Sequence, residues 1–257
     1  MYEKRFYRNL FKGNNLKFFN LCVFETDLSI GVSEEKCYDI GNKDNTSLED
    51  SAIYKAALKS VRGHRNKIEE YIKRHPEFLT SLEPIVPDPD ADLIVHKMCE
   101  AAKKAQVGPM AAVAGAIGEM VGYDVLNYCD EVIIENGGDI FIKTNSVRKI
   151  GIYAGKSPFN EKIALKITPE QTPAGVCTSS GTVGHSLSFG KADAAVIVSK
   201  NAFLADAVAT AVGNKVKKPD DIESALKFAS GIEGVNGAVI IIGDKIGAWG
   251  DIELTGF

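Results

Sequence analysis

Aromatic residues are scarce in this chain of 257 residues, at 8%. Its core must therefore lean on Ala, Val, Ile and Gly, whose backbones can approach closely. No charge of one sign dominates: 30 Lys and Arg against 34 Asp and Glu leave a net charge of -4. Nucleic-acid phosphates need a basic surface, so no nucleic-acid partner is expected. No two of the five cysteines (Cys22, Cys37, Cys99, Cys129, Cys177) stand at CxxC spacing, which excludes a zinc knuckle or a thioredoxin-type motif. They read as reduced thiols of a reducing compartment. The longest apolar stretch, Val107–Leu126, carries Glu119 and Asp124, and two carboxylates inside a membrane span would be costly. Residues 1–24 carry basic residues too often for a signal peptide. A cytoplasmic protein with no membrane partner is the expectation. The motifs GxxxxGK[ST], HExxH and GxSxG are missing as well. Ser188-Phe189-Gly190-Lys191 matches SxxK, but without companion motifs it reads as a chance match.

The patterning that is present points to an α+β chain. Residues 16–32 read as a β-hairpin and 48–75 as a helix with Ser47 as its N-cap. Pro84, Pro87 and Pro89 mark a break, either a linker between domains or a crossing loop; one unit in which residues 1–83 pack on 90–257 is the expectation. Helices follow over about 93–105 and from Gly108-Pro109 to about Asn127. EVIIEN, DIFIKT, KIGIYA and KIALKI then read as an antiparallel meander. ADAAVIVS is a buried strand, 202–214 and IESALKFA are helices, and VNGAVIIIG with KIGAWGDIEL forms a closing hairpin around Gly243-Asp244. Helices between runs of strands argue for α+β rather than a doubly wound parallel sheet. The order hairpin, helices, strands, helices, strands suggests internal duplication.

Three segments are candidates for chemistry. Asn136-Gly137-Gly138-Asp139 follows a strand; two glycines can expose amides to a ligand, or simply make a hairpin turn. Cys177-Thr178-Ser179-Ser180-Gly181-Thr182, with His185 beyond it, offers hydroxyls and amides for phosphate oxygens and a candidate acid or base. Its plain alternative is a polar loop. Cys177 could instead carry sulfur or an acyl group, or be a buried strand cysteine. Asp206 and Thr210 are four residues apart on a helix and share one face. They suit an oxygen-loving cation such as Mg²⁺, or Asp206 caps its own helix while Thr210 bonds back to it. Ala111, Gly115, Gly118 and Gly122 also share a face, one that admits a close backbone, either a ligand loop or another helix.

In this order the three segments resemble the ApbE-like proteins, the FAD:protein FMN transferases once called thiamine biosynthesis lipoproteins. VGPMAAVAGAI, ENGGDIFI, GVCTSSGTVGHSLSFGKADA and ADAVATAVGN are closer still to an uncharacterised, cytoplasmic, largely prokaryotic branch of that superfamily. Glu25-Thr26-Asp27-Leu28 and Tyr71-Ile72-x-x-His75-Pro76-x-Phe78 resemble it too. The resemblance implies an ApbE-like α+β fold with a T-fold-like internal duplication. It implies a site for FAD or FMN lined by Asn136, Gly137, Gly138, Asp139, Thr178, Ser179, Ser180 and Gly181. It also implies Mg²⁺ held by Asp206, Thr210 and the carbonyl of Ala111, and cleavage or transfer at a pyrophosphate if the chain is an enzyme. His185, Asp206 and Cys177 are the candidate catalytic residues. Candidate partners are a small nucleotide ligand, an acceptor protein and a second copy of the chain. Ala112 stands where the transferases carry lysine, and His185 follows Gly181 sooner than theirs does. These departures favour nucleotide binding over flavin transfer.

Overall fold

The computed structural model describes residues 15–33, 49, 51–182 and 189–257. Ser47, Cys37, His185 and Ser188 lie outside them. The chain opens with the hairpin β1 (Leu16–Val23) and β2 (Thr26–Ser33). The helices α1 (Ala52–Arg74), α2 (Glu77–Thr80), α3 (Leu93–Ala105) and α4 (Val113–Val125) follow. Next come β3 (Val132–Asn136), β4 (Asp139–Lys143), β5 (Arg148–Gly151), β6 (Ile163–Ile167), β7 (Ala174–Ser179) and β8 (Ala194–Ser199). Helices α5 (Ala202–Lys215) and α6 (Ile222–Ser230) precede β9 (Val235–Ile242), β10 (Lys245–Gly250) and β11 (Glu253–Gly256).

Eight strands form one antiparallel sheet in the order β1-β2-β3-β4-β7-β8-β9-β10; β11, β6 and β5 form a smaller one. Period-two patterning builds a core on each face of the large sheet. Ile134, Phe141, Cys177, Ile197 and Ile240 face the helices. Ile140, Ile142, Val176, Val196, Val239 and Ile241 face the small sheet. The large sheet falls into two runs, β1-β2-β3-β4 and β7-β8-β9-β10, each with its helices inserted between the second and third strands.

Several boundaries differ from the sequence reading. The first helix starts at Ala52, where Ser51 accepts a hydrogen bond from the Tyr54 amide at 3.2 Å. The helix expected from Pro109 divides into a 3-10 turn, Pro109–Ala112, and α4. EVIIEN and DIFIKT are not one meander with the next two runs. β4 pairs with β7, while β5 and β6 belong to the small sheet. The closing run also divides: Gly250 has φ 102°, and beyond it β11 crosses to pair with β6.

The proline-rich break is bound back onto α1. Tyr71 stacks on His75 and meets Phe78 edge-on. The Asp88 amide donates to the Tyr71 hydroxyl at 3.2 Å, and the Asp88 carboxylate lies 2.8 Å from His75. Arg65 of α1 holds the β1–β2 turn, donating to Glu25 at 2.7 Å and to Thr26 at 2.8 Å. The two motifs Glu25–Leu28 and Tyr71–Phe78 thus tie strands and loop to one helix.

At the far end of β3, Glu131 and Arg148 form a buried ion pair at 2.8 Å, and Thr144 donates to the same carboxylate at 2.8 Å. Burial alone would raise the Glu131 carboxyl. Hydrogen bonds from Arg148, Thr144 and the Asn145 amide, with the Arg148 charge, outweigh it and hold the group below the usual range. A lowered folded value contributes stability above the unfolded pKa, and that stability is lost as pH falls through the folded value. Glu131→Gln, which leaves Arg148 facing a neutral amide, is expected to cost about 3 kcal/mol in denaturant melts at pH 7. The gap from the parent should narrow on acidification; a gap independent of pH would contradict the ion-pair account.

Candidate functional site

The three candidate segments converge where the helices meet one end of β3, β4 and β7. Asn136 pairs with Asp139, leaving Gly137 and Gly138 as a two-residue turn with φ of 70° and 102°. Both values lie in the region that glycine adopts without cost. The turn is therefore the favoured hairpin geometry, and its tightness puts Asn136 and Asp139 side by side on the helix-facing side of the sheet. The Gly138 amide donates to Glu135 at 2.9 Å.

Asn136 donates to the carbonyl of Ala114, at the start of α4, at 3.1 Å. Asp206, in the second turn of α5, accepts from the Gly115 amide at 2.8 Å, and the Ala114 amide also bonds to it. Asp206 is thus a capping acid for the neighbouring helix rather than its own. The first amides of a helix have no partner within it; Asp206 of α5 accepts from those at the start of α4, while Asn136 ties the same turn to β3 through the Ala114 carbonyl.

Asp139 accepts from the Thr178 amide at 3.2 Å, and the Cys177 thiol reaches it as well. Burial, and then the nearby Asp206 charge, push the Asp139 carboxyl well above the usual range. Burial raises Asp206 to about 7 against the pull of the two amides. Two carboxylates in electrostatic reach of each other, both buried, are the main electrostatic feature of this end of the molecule. Perturbed carboxyls of this kind mark candidate functional sites.

Helix α5 also packs against the turn Pro109–Ala112, which contains Ala111. Thr210 stands one turn beyond Asp206 on α5 and is half-buried. Oxygen donors from Asp206, Thr210 and the Ala111 carbonyl match the preference of a hard divalent cation, and a positive charge would relieve the raised carboxyls. The donor chemistry therefore fits Mg²⁺. Among the described residues there is no group of three or more His, Cys, Asp or Glu side chains arranged to hold a metal, so any cation here would rely on hydroxyl, carbonyl or ligand oxygens.

The hydroxyl-rich segment is split by the pleat of β7. Thr178 pairs with Val196 on the small-sheet side, while Ser179 pairs with Ala195 on the helix side. Thr182 donates to Asp193 at 3.0 Å, and the Ser180 and Thr182 hydroxyls lie 3.3 Å apart. Gly181 leans on the backbone at Gly190. Part of the hydroxyl set expected to meet phosphate is thus engaged in holding the loop. His185 lies outside the described residues. Cys177 is fully buried, with its sulfur 3.6 Å from the Ala202 carbonyl, and burial raises it well above the ordinary thiol range. A neutral, enclosed thiol is a poor nucleophile.

Two features escaped the sequence reading. Glu119 is buried on α4 and accepts from the Ala202 amide at 2.6 Å. Asp193 is buried and ties the Thr182 loop to the Gly243 amide at 2.7 Å. A carboxylate in the middle of an Ala- and Gly-rich helix was the available signal for the first; Asp193, inside ADAAVIVS, had none. A separate surface hollow of about 570 Å³ opens between Tyr123, Leu126, Lys143 and Pro173, at the other end of β4.

The small-residue face of α4 serves two neighbours. A Cβ on Gly115 would overlap the Ala202 carbonyl and stand 2.9 Å from the Asp206 Cβ; one on Gly122 would overlap the Phe141 ring. Gly118 is only in ordinary contact, 4.0 Å from Ile134 and Phe141. Gly115→Ala is therefore expected to destabilise by about 1–3 kcal/mol through overpacking. Thermal melts would check it, and a melting temperature at or above the parent's would contradict the close approach.

A family model described as AbpE bacteria matches residues 8–253. The UPF0280 protein of Methanococcus aeolicus is 45% identical over 213 residues, 81% of this chain and 86% of that one. The UPF0280 protein of Methanocella arvoryzae is 42% identical over 223 residues, 86% and 91% of the two chains. Among solved structures, the apo flavinyl transferase ApbE of Pseudomonas stutzeri aligns with a TM-score of 0.56 at 11% identity, covering 91% of this chain and 94% of its own. A mutant of the flavin transferase ApbE from Vibrio cholerae gives 0.56 at 10% identity, covering 93% and 98%. At such identities the likeness is one of fold.

Proposed function

The chain belongs to the AbpE bacteria family, and on that footing we propose that it binds a flavin nucleotide, FAD or FMN, together with Mg²⁺ beside Asp139 and Asp206. The observation that carries this reading is the pair of buried, raised carboxylates set beside the Gly137-Gly138 turn. Such a pair is costly to bury charged. It sits where α5, the turn before α4 and the ends of three strands offer oxygen donors and backbone amides together.

In this reading Asp206, Thr210 and the Ala111 carbonyl hold the cation. A bound Mg²⁺ would neutralise charge on a pyrophosphate. The Gly137-Gly138 turn and the Ser180-Gly181 stretch would lie against the phosphates or the flavin ring, offering close backbone approach, since the Gly138 and Gly181 amides are already given to Glu135 and the Ala192 carbonyl; the pairing of Asn136 with Asp139 fixes the turn. If phosphate chemistry follows, His185 is the candidate base and an acceptor protein or water the candidate nucleophile. Ala112, at the position of the transferase lysine, supports binding as the primary role. A sulfur- or acyl-handling role for Cys177 draws no support from a thiol that is fully enclosed.

Asp206→Asn keeps an oxygen for the Gly115 amide but removes the charge. Calorimetric titration of the parent with FAD is expected to show binding that strengthens with Mg²⁺ and weakens with chelator. The Asn variant should fold as the parent does and lose the Mg²⁺ dependence. Equal Mg²⁺-dependent affinity in parent and variant would overturn the metal assignment.

A further inference from the structure

We propose that Glu119 is a positioning residue for Asp206: it locks the first turn of α5 onto α4 and so fixes where the Asp206 carboxylate stands. The proposal rests on the metal-and-nucleotide reading above. It starts from a reciprocity in the hydrogen bonds. Asp206 of α5 accepts from the Gly115 amide in the first turn of α4, at 2.8 Å. Glu119 of α4 accepts from the Ala202 amide in the first turn of α5, at 2.6 Å, and the Phe203 amide bonds to it too.

Glu119 stands four residues after Gly115, and Asp206 four residues after Ala202. The two contacts are therefore one helical turn apart along each axis, and each helix gives one carboxylate and one set of amides. A single contact would leave the helices free to pivot about it. Two, pointing in opposite directions, remove both rotation and sliding. Packing enforces the same register, because Gly115 abuts the Ala202 carbonyl with no room for a Cβ, and Gly175 of β7 holds Ala202 from the sheet side in the same way.

Glu119 is 3% exposed, and a buried carboxylate needs compensation. Lys97 of α3 provides it, with Nζ 3.7 Å from Glu119 and 5.3 Å from the centre of the Phe203 ring. The bond that positions α5 needs an acceptor at the Glu119 Oε2 position. A glutamine there retains the acceptor, an alanine removes it, and an aspartate withdraws it by one methylene.

Manganese alone is the probe, titrated into the full chain and followed by the electron paramagnetic resonance of the free ion. Outer-shell partners of metal ligands typically matter about 10–100-fold in affinity, so Glu119→Ala is expected to weaken Mn²⁺ binding at least about tenfold. Glu119→Gln should stay close to the parent. Val125→Ala, a core change in α4 away from Asp206, should lower the melting temperature without moving Mn²⁺ affinity, which separates positioning from general loss of stability. If Glu119→Ala does not fold, Glu119→Asp decides, with the same loss expected. Parent-like Mn²⁺ binding in a folded Ala or Asp variant would overturn the proposal, as would equal losses in Ala and Gln. A parent that binds no Mn²⁺ would instead sink the metal reading itself, and this inference with it.

Discussion

Two buried carboxylates exchanged between helices α4 and α5 set the geometry of the whole site. Asp206 satisfies amides at the start of α4, and Glu119 satisfies amides at the start of α5. Helix starts carry unpaired amides and a partial positive charge, so a carboxylate is favourable there. The same two groups would be costly if the helices moved apart, because each would lose its donors without gaining water. Around this crossing, β3 joins through Asn136 and β7 through Gly175. Sheet, helix layer and the Gly137-Gly138 turn therefore meet at one rigid place.

That rigidity has a chemical consequence. Asp139 and Asp206 are held within each other's electrostatic influence in a dry setting, and what offsets their burial is amide hydrogen bonding. Amides carry only partial charge, so the carboxyls remain raised. In the proposed reading a cation would relieve these carboxyls, and oxygen donors from Thr210 and Ala111 would favour a hard one. Gly115 serves the same end, since a Cβ there would overlap the Ala202 carbonyl and hold the two helices apart.

Much of this was legible in the sequence where the signal is local. Period-two alternation gave the strands, and Asn136-Gly137-Gly138-Asp139 gave its own turn. Asp206 and Thr210 shared a helix face because their spacing is four. What was not legible depends on partners distant in the chain. Nothing near Asp206 says that its carboxylate caps a helix that starts at Val113, and nothing near Cys177 says that α5 closes over it. The split of the strand runs between two sheets is likewise set by β11 returning to β6, a pairing that no turn signal announces. The pleat of β7 divided hydroxyls that stand together in sequence.

The central claim is that Asp206 is shared between the α4 amides and a divalent cation. Crystals grown with FAD and Mn²⁺, with diffraction recorded at the manganese absorption edge, test it directly. The account predicts an anomalous peak in bonding contact with the Asp206 carboxylate and the Thr210 hydroxyl, and with a phosphate oxygen of the nucleotide. A manganese peak elsewhere, with Asp206 bonded only to the amides of Gly115 and Ala114, would contradict it.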